Sequence, residues 1–466
     1  MGCCNRRCGL IAGAVFGAVV TILGGILIPV GDMIIEETVK KEAVIEPGTI
    51  AYDNWAAAGV KVYRQFWFFD VQNPSEVEQG AKPVLVEKGP YTYGTRFLAK
   101  ENVTFLLNDT VSFLLPQGAI FEPSMSVGPE ADNITCLNLG VAGAYSLLPH
   151  NVLELLISTN NASLFQNRTV RELLWGYKDP LLFGMQMGLF SPYNGTYDGY
   201  YNVFTGKDDI TKVSKIDMYR GNSNLGFWND SYCDMINGTD ASSFAPFLDK
   251  ETPLYFFSSD ICRSVSASYE QTVDLKGIDV YRYSLLPSTL ASPVVNPDNR
   301  CFCKNMQTTK NCTLAGVLEL SVCQQGAPVY ISLPHFLLGS DILRESVVGL
   351  NPHPENHKTF LDVEPITGFT LNFAKRIQVN MMYGPSDVVK LFKNISDYMI
   401  LPVVWMNETA TLDDETADMF KNELLGRINM LDIIQKVLLG AGAAIFVLCL
   451  IFYYFARRSH KRSKTV

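Results

Sequence analysis

The chain has 466 residues, 47% of them hydrophobic, with 38 Lys and Arg against 47 Asp and Glu for a formal charge of −9. That length suits one large or two ordinary domains. The acidic balance excludes a general polyanion trap such as a non-specific nucleic-acid binder, and an anionic ligand needs a local basic patch.

The first nine residues carry Cys3, Cys4 and Cys8 beside Arg6 and Arg7. Cysteines beside a membrane helix are candidates for palmitoylation. Gly2 does not make a myristoylation signal, because Arg6 stands where Ser or Thr is required. Residues 10–30 then run 21 positions without a charge, and residues 437–455 run 19. A bilayer core needs roughly 20 such residues in a helix. Both runs read as transmembrane helices. A cleaved signal peptide competes for the first, but the run exceeds a signal core of roughly 7–15 residues and no small-x-small site follows. Arg6 and Arg7 before the first run, and Arg457, Arg458, Lys461, Arg462 and Lys464 after the second, place both termini in the cytoplasm. The expected organisation is a cytoplasmic tail 1–9, helix 10–30, ectodomain 31–436, helix 437–455 and cytoplasmic tail 456–466. All 47 acids fall in the ectodomain against 31 bases. Neither run holds an ionisable residue, so neither shows an ion path. Gly9, Gly13 and Gly17 form a small-residue stripe that suits close contact either with the second helix or, in self-association, with another copy.

Eleven N-x-S/T sequons, at Asn102, Asn108, Asn133, Asn161, Asn167, Asn194, Asn229, Asn237, Asn311, Asn394 and Asn407, all lie in 31–436. They fit a glycosylated outer segment. Residues 64–71, 82–87, 91–99 and 110–115 read as strands, with Gly89-Pro90 as a turn between the second and third. Residues 137–159 read as helical with a break at Pro149, and Thr169 with Glu172 forms a capping box. Further strands are expected at 279–285, 329–334 and 369–383, and Thr411 with Asp414 to open a helix into the second span. No repeat or linker interrupts the chain. The fold class is therefore a β-rich α+β ectodomain anchored at both ends.

Six of the seven outer cysteines cluster between 233 and 323: Cys233, Cys262, Cys301, Cys303, Cys312 and Cys323. In an oxidising compartment they read as three disulfides, with 15 connectivities open. Cys301 and Cys303 would share one side of a strand and take different partners. Zinc is disfavoured by the spacing and the shortage of nearby histidines. Cys136 is left as a buried free thiol or an intermolecular link. His353 and His357 are spaced like a helical metal pair, but Pro352 and Pro354 oppose a helix, so a solvated loop is expected. No hydrolase, zincin, P-loop or dinucleotide motif is present. No catalytic residue, metal or cofactor is expected, which leaves an ecto-hydrolase as the weakest reading.

The blocks "MGCCNRRCGLIAGAV", "VYRQFWFFDVQNP", "GPYTYGTRFLAKENVT", "FFSSDICRS", "NPDNRCFCK" and "LDVEPITGFTLNFAKRIQVN" closely resemble the class B scavenger receptors, in their fatty-acid-translocating branch. The resemblance runs from the N-terminus into the second span. It implies an antiparallel β-barrel core, a helical apex and an internal hydrophobic tunnel. It also implies disulfides Cys233–Cys301, Cys262–Cys323 and Cys303–Cys312, and acylation at Cys3 and Cys8. The implied ligands are long-chain fatty acids, oxidised lipoproteins and anionic phospholipids, taken up at the plasma membrane, with the Golgi and membrane rafts as further locations. Adhesion to thrombospondin-type repeats is the alternative role. Three departures stand out: no lysine lies between Lys100 and Lys178, Phe105, Leu106 and Leu107 replace acids in the thrombospondin-linked stretch, and the C-terminal tail lacks cysteine. Leu148, Val152, Leu153, Leu156 and Ile157, with Leu147, are candidate entrance residues, either packed as core or exposed to lipid tails.

Overall fold

The computed structural model describes residues 6–57, 61–96, 99–422 and 426–462. Cys3 and Cys4 lie outside them. The chain forms two compact units. The first holds helices Arg6–Ala43 and Gly426–Arg462, which contain both uncharged runs and are long and apolar enough to cross a membrane. They pack on each other through glycine. A Cβ at Gly17 would meet the Phe446 nitrogen at 2.5 Å and the Gly442 oxygen at 2.9 Å, and one at Gly24 would meet the Leu439 nitrogen at 2.7 Å. Only hydrogen fits where two backbones approach this closely. Farther along the pair, the Gln435 side-chain amide donates to the Leu27 carbonyl at 2.8 Å. Gly13 and Gly17 are therefore taken up by contact within the chain. Gly9 has nothing within 4 Å of a Cβ built there.

The second unit, 43–275 and 279–412, is built on an eleven-stranded sheet. From one edge the order is Leu254–Ser258, Arg263–Leu275, Ile278–Leu285, Phe360–Val363, Thr370–Tyr383, Met399–Thr411, Tyr63–Val71, Leu85–Thr95 and Ala119–Phe121. Val329–Ser332 pairs off the Thr370–Tyr383 strand and carries Leu318–Glu319. The path of pairings is open among the described residues. The expected turn at Gly89-Pro90 is absent: one strand, Leu85–Thr95, passes through it. The register against Tyr63–Val71 shifts between Phe66 and Phe68, and a Cβ at Gly89 would meet the Phe66 oxygen at 2.6 Å. Glycine here serves a bulge in a continuing strand rather than a turn.

The helical stretch forms as Leu139–Leu147 and His150–Asn160, divided at Pro149. The Asn138 side chain caps the first helix by accepting from the Val141 amide. Thr169 and Glu172 make the reciprocal capping box of Val170–Trp175. Near the C-terminus the cap is Asp413, which accepts from the Thr416 amide and starts Asp414–Phe420. Thr411 instead ends the strand Met399–Thr411 and donates to Asn372.

Candidate functional site

The predicted entrance residues divide by exposure. Leu153 is 0% exposed and Ile157 6%, one turn apart on the inner face of His150–Asn160. They are core, so the reading that exposes them is corrected. Leu148 and Leu156 are half-buried against the same core. Val152 and Leu147 are exposed, and so is Leu155, which sequence reasoning passed over. Phe183, 88% exposed at the tip after Tyr177–Asp179, adds an apolar side chain that no periodicity marks. The two basic residues of this region are engaged: Arg168 lies 3.7 Å from Glu172 and over the Tyr177 ring, and Arg171 lies 3.9 Å from Glu130.

Inside the sheet, three strands set charges in one row. Arg64 stands opposite Glu408, and Glu408 opposite Lys375. Arg64 forms an ion pair with Glu408 and donates to the Tyr193 hydroxyl, while Lys375 pairs with Asp260 from the turn Ser259–Ile261. Asp198 accepts from the Ser259 hydroxyl at 2.8 Å and from Tyr201. Burial acts to raise the Asp260 and Glu408 carboxyls, but Lys375 and Arg64 outweigh it and hold both below the usual range. Asp198 has no adjacent cation of that strength, and burial pushes it up. These groups are ringed by protein, yet Arg64 keeps 23% and Lys375 26% of its side-chain surface. Both cations therefore keep contact with solvent. The arrangement can hold a small anionic group beside two fixed cations, or exclude one by its three carboxylates.

Three disulfides join cysteines between 233 and 323: Cys233–Cys301, Cys262–Cys323 and Cys303–Cys312. Cys301 and Cys303 have different partners, although Pro297–Phe302 is a 3₁₀ segment and not a strand. Trp228 packs edge-on against Phe302 and donates to the Cys262 carbonyl at 2.8 Å. Cys8 is exposed, Cys136 is buried with its thiol pushed up to about 12 by burial, and Cys449 is half-buried in its helix. Nine sequon asparagines are exposed, while Asn237 and Asn407 are half-buried. Asn407 donates to the Gln65 side chain at 3.1 Å. The expected solvated loop at His353 to His357 is corrected. Pro354 opens a single helical turn, where proline is tolerated, and His357 is 5% exposed.

The CD36 family matches residues 15–453. Scavenger receptor class B member 1 of Cricetulus griseus is 33% identical, covering 97% of this chain and 90% of its own length. Lysosome membrane protein 2 of Rattus norvegicus is 35% identical, covering 90% of this chain and 89% of its own. The helical anchors, the sheet between them and these matches along nearly the whole length agree: the chain belongs to the CD36 family of class B scavenger receptors.

Proposed function

We propose that this protein is a cell-surface receptor without covalent chemistry. It binds long-chain fatty acids, oxidised lipoproteins and anionic phospholipids and passes lipid toward the bilayer through the outer domain. One observation carries the reading. The two spans meet backbone to backbone at Gly17, Gly24 and Gly442, so the helix pair has no room for a polar path between its members. A transported solute must travel through the ectodomain and enter the lipid phase directly, which suits a lipid. In this reading the sheet curls into a barrel, and a hydrophobic tunnel passes the row of Arg64, Glu408 and Lys375. Both termini face the cytoplasm, Cys3, Cys4 and Cys8 carry palmitate, and the sequon asparagines carry glycans.

The test is binding and transfer by the full chain in nanodiscs, using a fluorescent sixteen-carbon fatty acid. Saturable, competable binding and faster delivery into acceptor vesicles are expected. Absence of saturable binding overturns the lipid reading. A second role in adhesion, with a protein ligand such as a thrombospondin-type repeat, draws on the hairpin tip at Phe105, Leu106 and Leu107, where Leu107 is fully exposed. Leu107→Glu returns an acid to this stretch and should strengthen adhesion to such a repeat without altering fatty-acid binding.

A further inference from the structure

His335 and His357 are both buried, 4% and 5% exposed, and their rings stack at 4.4 Å with a 17° tilt. Neither belongs to the charge row or to the helices Leu139–Leu147 and His150–Asn160. The backbone reaches this arrangement through left-handed conformations at His335 and Phe336, with φ of 54° and 53°. Non-glycine residues hold such angles only where the surroundings enforce them.

The hydrogen bonds fix the tautomers. The amide of Asn351 donates to Nδ1 of His335 at 3.0 Å, and the amide of His353 donates to Nδ1 of His357 at 3.0 Å. Both Nδ1 atoms must therefore be unprotonated. Nε2 of His335 carries the proton and donates to Glu87 Oε2 at 2.6 Å, which also accepts from the Trp405 indole at 3.0 Å. Within 351–354, Pro352 and Pro354 have no amide hydrogen. The two amides left in that stretch both end on imidazole nitrogens. Beyond it the chain is held independently, by Arg376 donating to the carbonyls of Glu355 and Lys358 at 2.9 and 2.8 Å.

We propose that the stacked histidines are an acid-operated latch on residues 351–354: neutral rings accept the two amides and hold the segment down, and a proton on either Nδ1 replaces an acceptor with a donor and releases it. The charged groups around the pair are Glu87 on one neighbouring strand, Arg376 on another and His353 in the segment itself. Burial, then His335, Arg376 and His353, act against charge on His357, with Glu87 opposing them, and hold it down at about 4. A histidine whose folded value is depressed contributes stability that is complete above its ordinary value of about 6.5 and is lost as pH falls toward the folded value. The latch is closed at neutral pH and opens in acid.

The test is hydrogen exchange on the full chain in nanodiscs, corrected for the intrinsic pH dependence of exchange. Protection of the amides in 351–353 should fall by about tenfold or more between pH 7.5 and 4.5. His335→Asn with His357→Asn supplies a side-chain oxygen near each Nδ1 position that accepts but does not titrate. This variant should keep neutral-pH protection and lose the acid response. Glu87→Gln is a milder variant that removes only the facing carboxylate, and it should move the transition to lower pH. Protection in the wild type that does not change with pH overturns the latch. So does an acid loss that persists unchanged in both variants.

Discussion

The inner face of His150–Asn160 can be tested by a pair of truncations. Leu153→Ala removes three carbons from a side chain with no exposed surface. At about 0.8 kcal/mol per methylene the transfer loss is about 2.4 kcal/mol. The unfilled volume adds to this, so a total of about 3 kcal/mol is expected, inside the range of about 2–5 kcal/mol for buried leucines. Leu155 sits two positions on, 64% exposed, and Leu155→Ala should stay within about 0.5 kcal/mol of wild type. The assay is urea unfolding of the full chain in detergent, followed by near-ultraviolet circular dichroism and compared at constant slope. Leu155→Glu then serves the lipid question, because it changes an outer apolar contact without opening the core. If Leu155→Ala costs as much as Leu153→Ala, the facing of this helix is wrong and the division of entrance residues falls with it.

Glu408→Gln should cost about 2–3 kcal/mol, less than for a fully desolvated pair because Arg64 and Lys375 keep some contact with water. Since Asp260 and Glu408 are both held low, the ion pairs contribute fully above the ordinary carboxylate values of about 4 and lose that contribution as pH falls below them. A urea midpoint that drops no further between pH 5 and 3 in wild type than in Glu408→Gln contradicts this. Gly13→Cys should oxidise to an intrachain disulfide with Cys449, whose sulfur lies 2.7 Å from a Cβ built at Gly13. A disulfide dimer on non-reducing gels would show that the stripe joins two copies instead. Replacing Cys303 and Cys312 together by serine should destabilise the chain by about 2–3 kcal/mol, the entropy of a loop of about ten residues. Peptide mapping without reduction should recover the three links, and free thiols at these positions would count against them.

What the sequence discloses depends on how local each feature is. The capping box at Thr169 and Glu172 is complete within four residues, and the structure forms it as read. The two apolar runs are equally local, because length and lack of charge are the whole signal. Gly89-Pro90 is misleading because the usual meaning of Gly-Pro assumes no partner strand. Here Phe66 and Trp67 crowd the position, and the glycine answers them. His357 looks solvated because the prolines beside it break a long helix. Its burial comes from His335, 22 positions earlier, and from Trp405, 48 positions later. The row Arg64, Glu408, Lys375 has no sequence signature, since each residue reads as an ordinary strand charge until the register aligns them. Leu153 differs from Leu155 only by helical phase, and a stretch apolar on several sides does not fix that phase.

The placement of cations bears on how a fatty acid would be recognised under the proposed function. Arg168 and Arg171 already face acids, while Leu147, Val152, Leu155 and Phe183 are exposed apolar side chains. In the row across the sheet, Arg64 and Lys375 each have a carboxylate partner as well. A ligand carboxylate entering there exchanges one anion for another and meets Asp198, so it gains little net attraction. The acyl chain has no such competitor. Each methylene transferred from water contributes about 0.8 kcal/mol, close to fourfold in affinity. Lengthening a ligand from twelve to sixteen carbons should therefore tighten binding by about two orders of magnitude, whereas converting the sixteen-carbon acid to its methyl ester should change it by less than about tenfold. Competition titrations of the three compounds against a fluorescent fatty acid, with the full chain in nanodiscs, measure both ratios. An acid that binds about a hundredfold tighter than its ester would mean that Arg64 or Lys375 is released from its partner to receive the head group, and the apolar basis of recognition would be wrong.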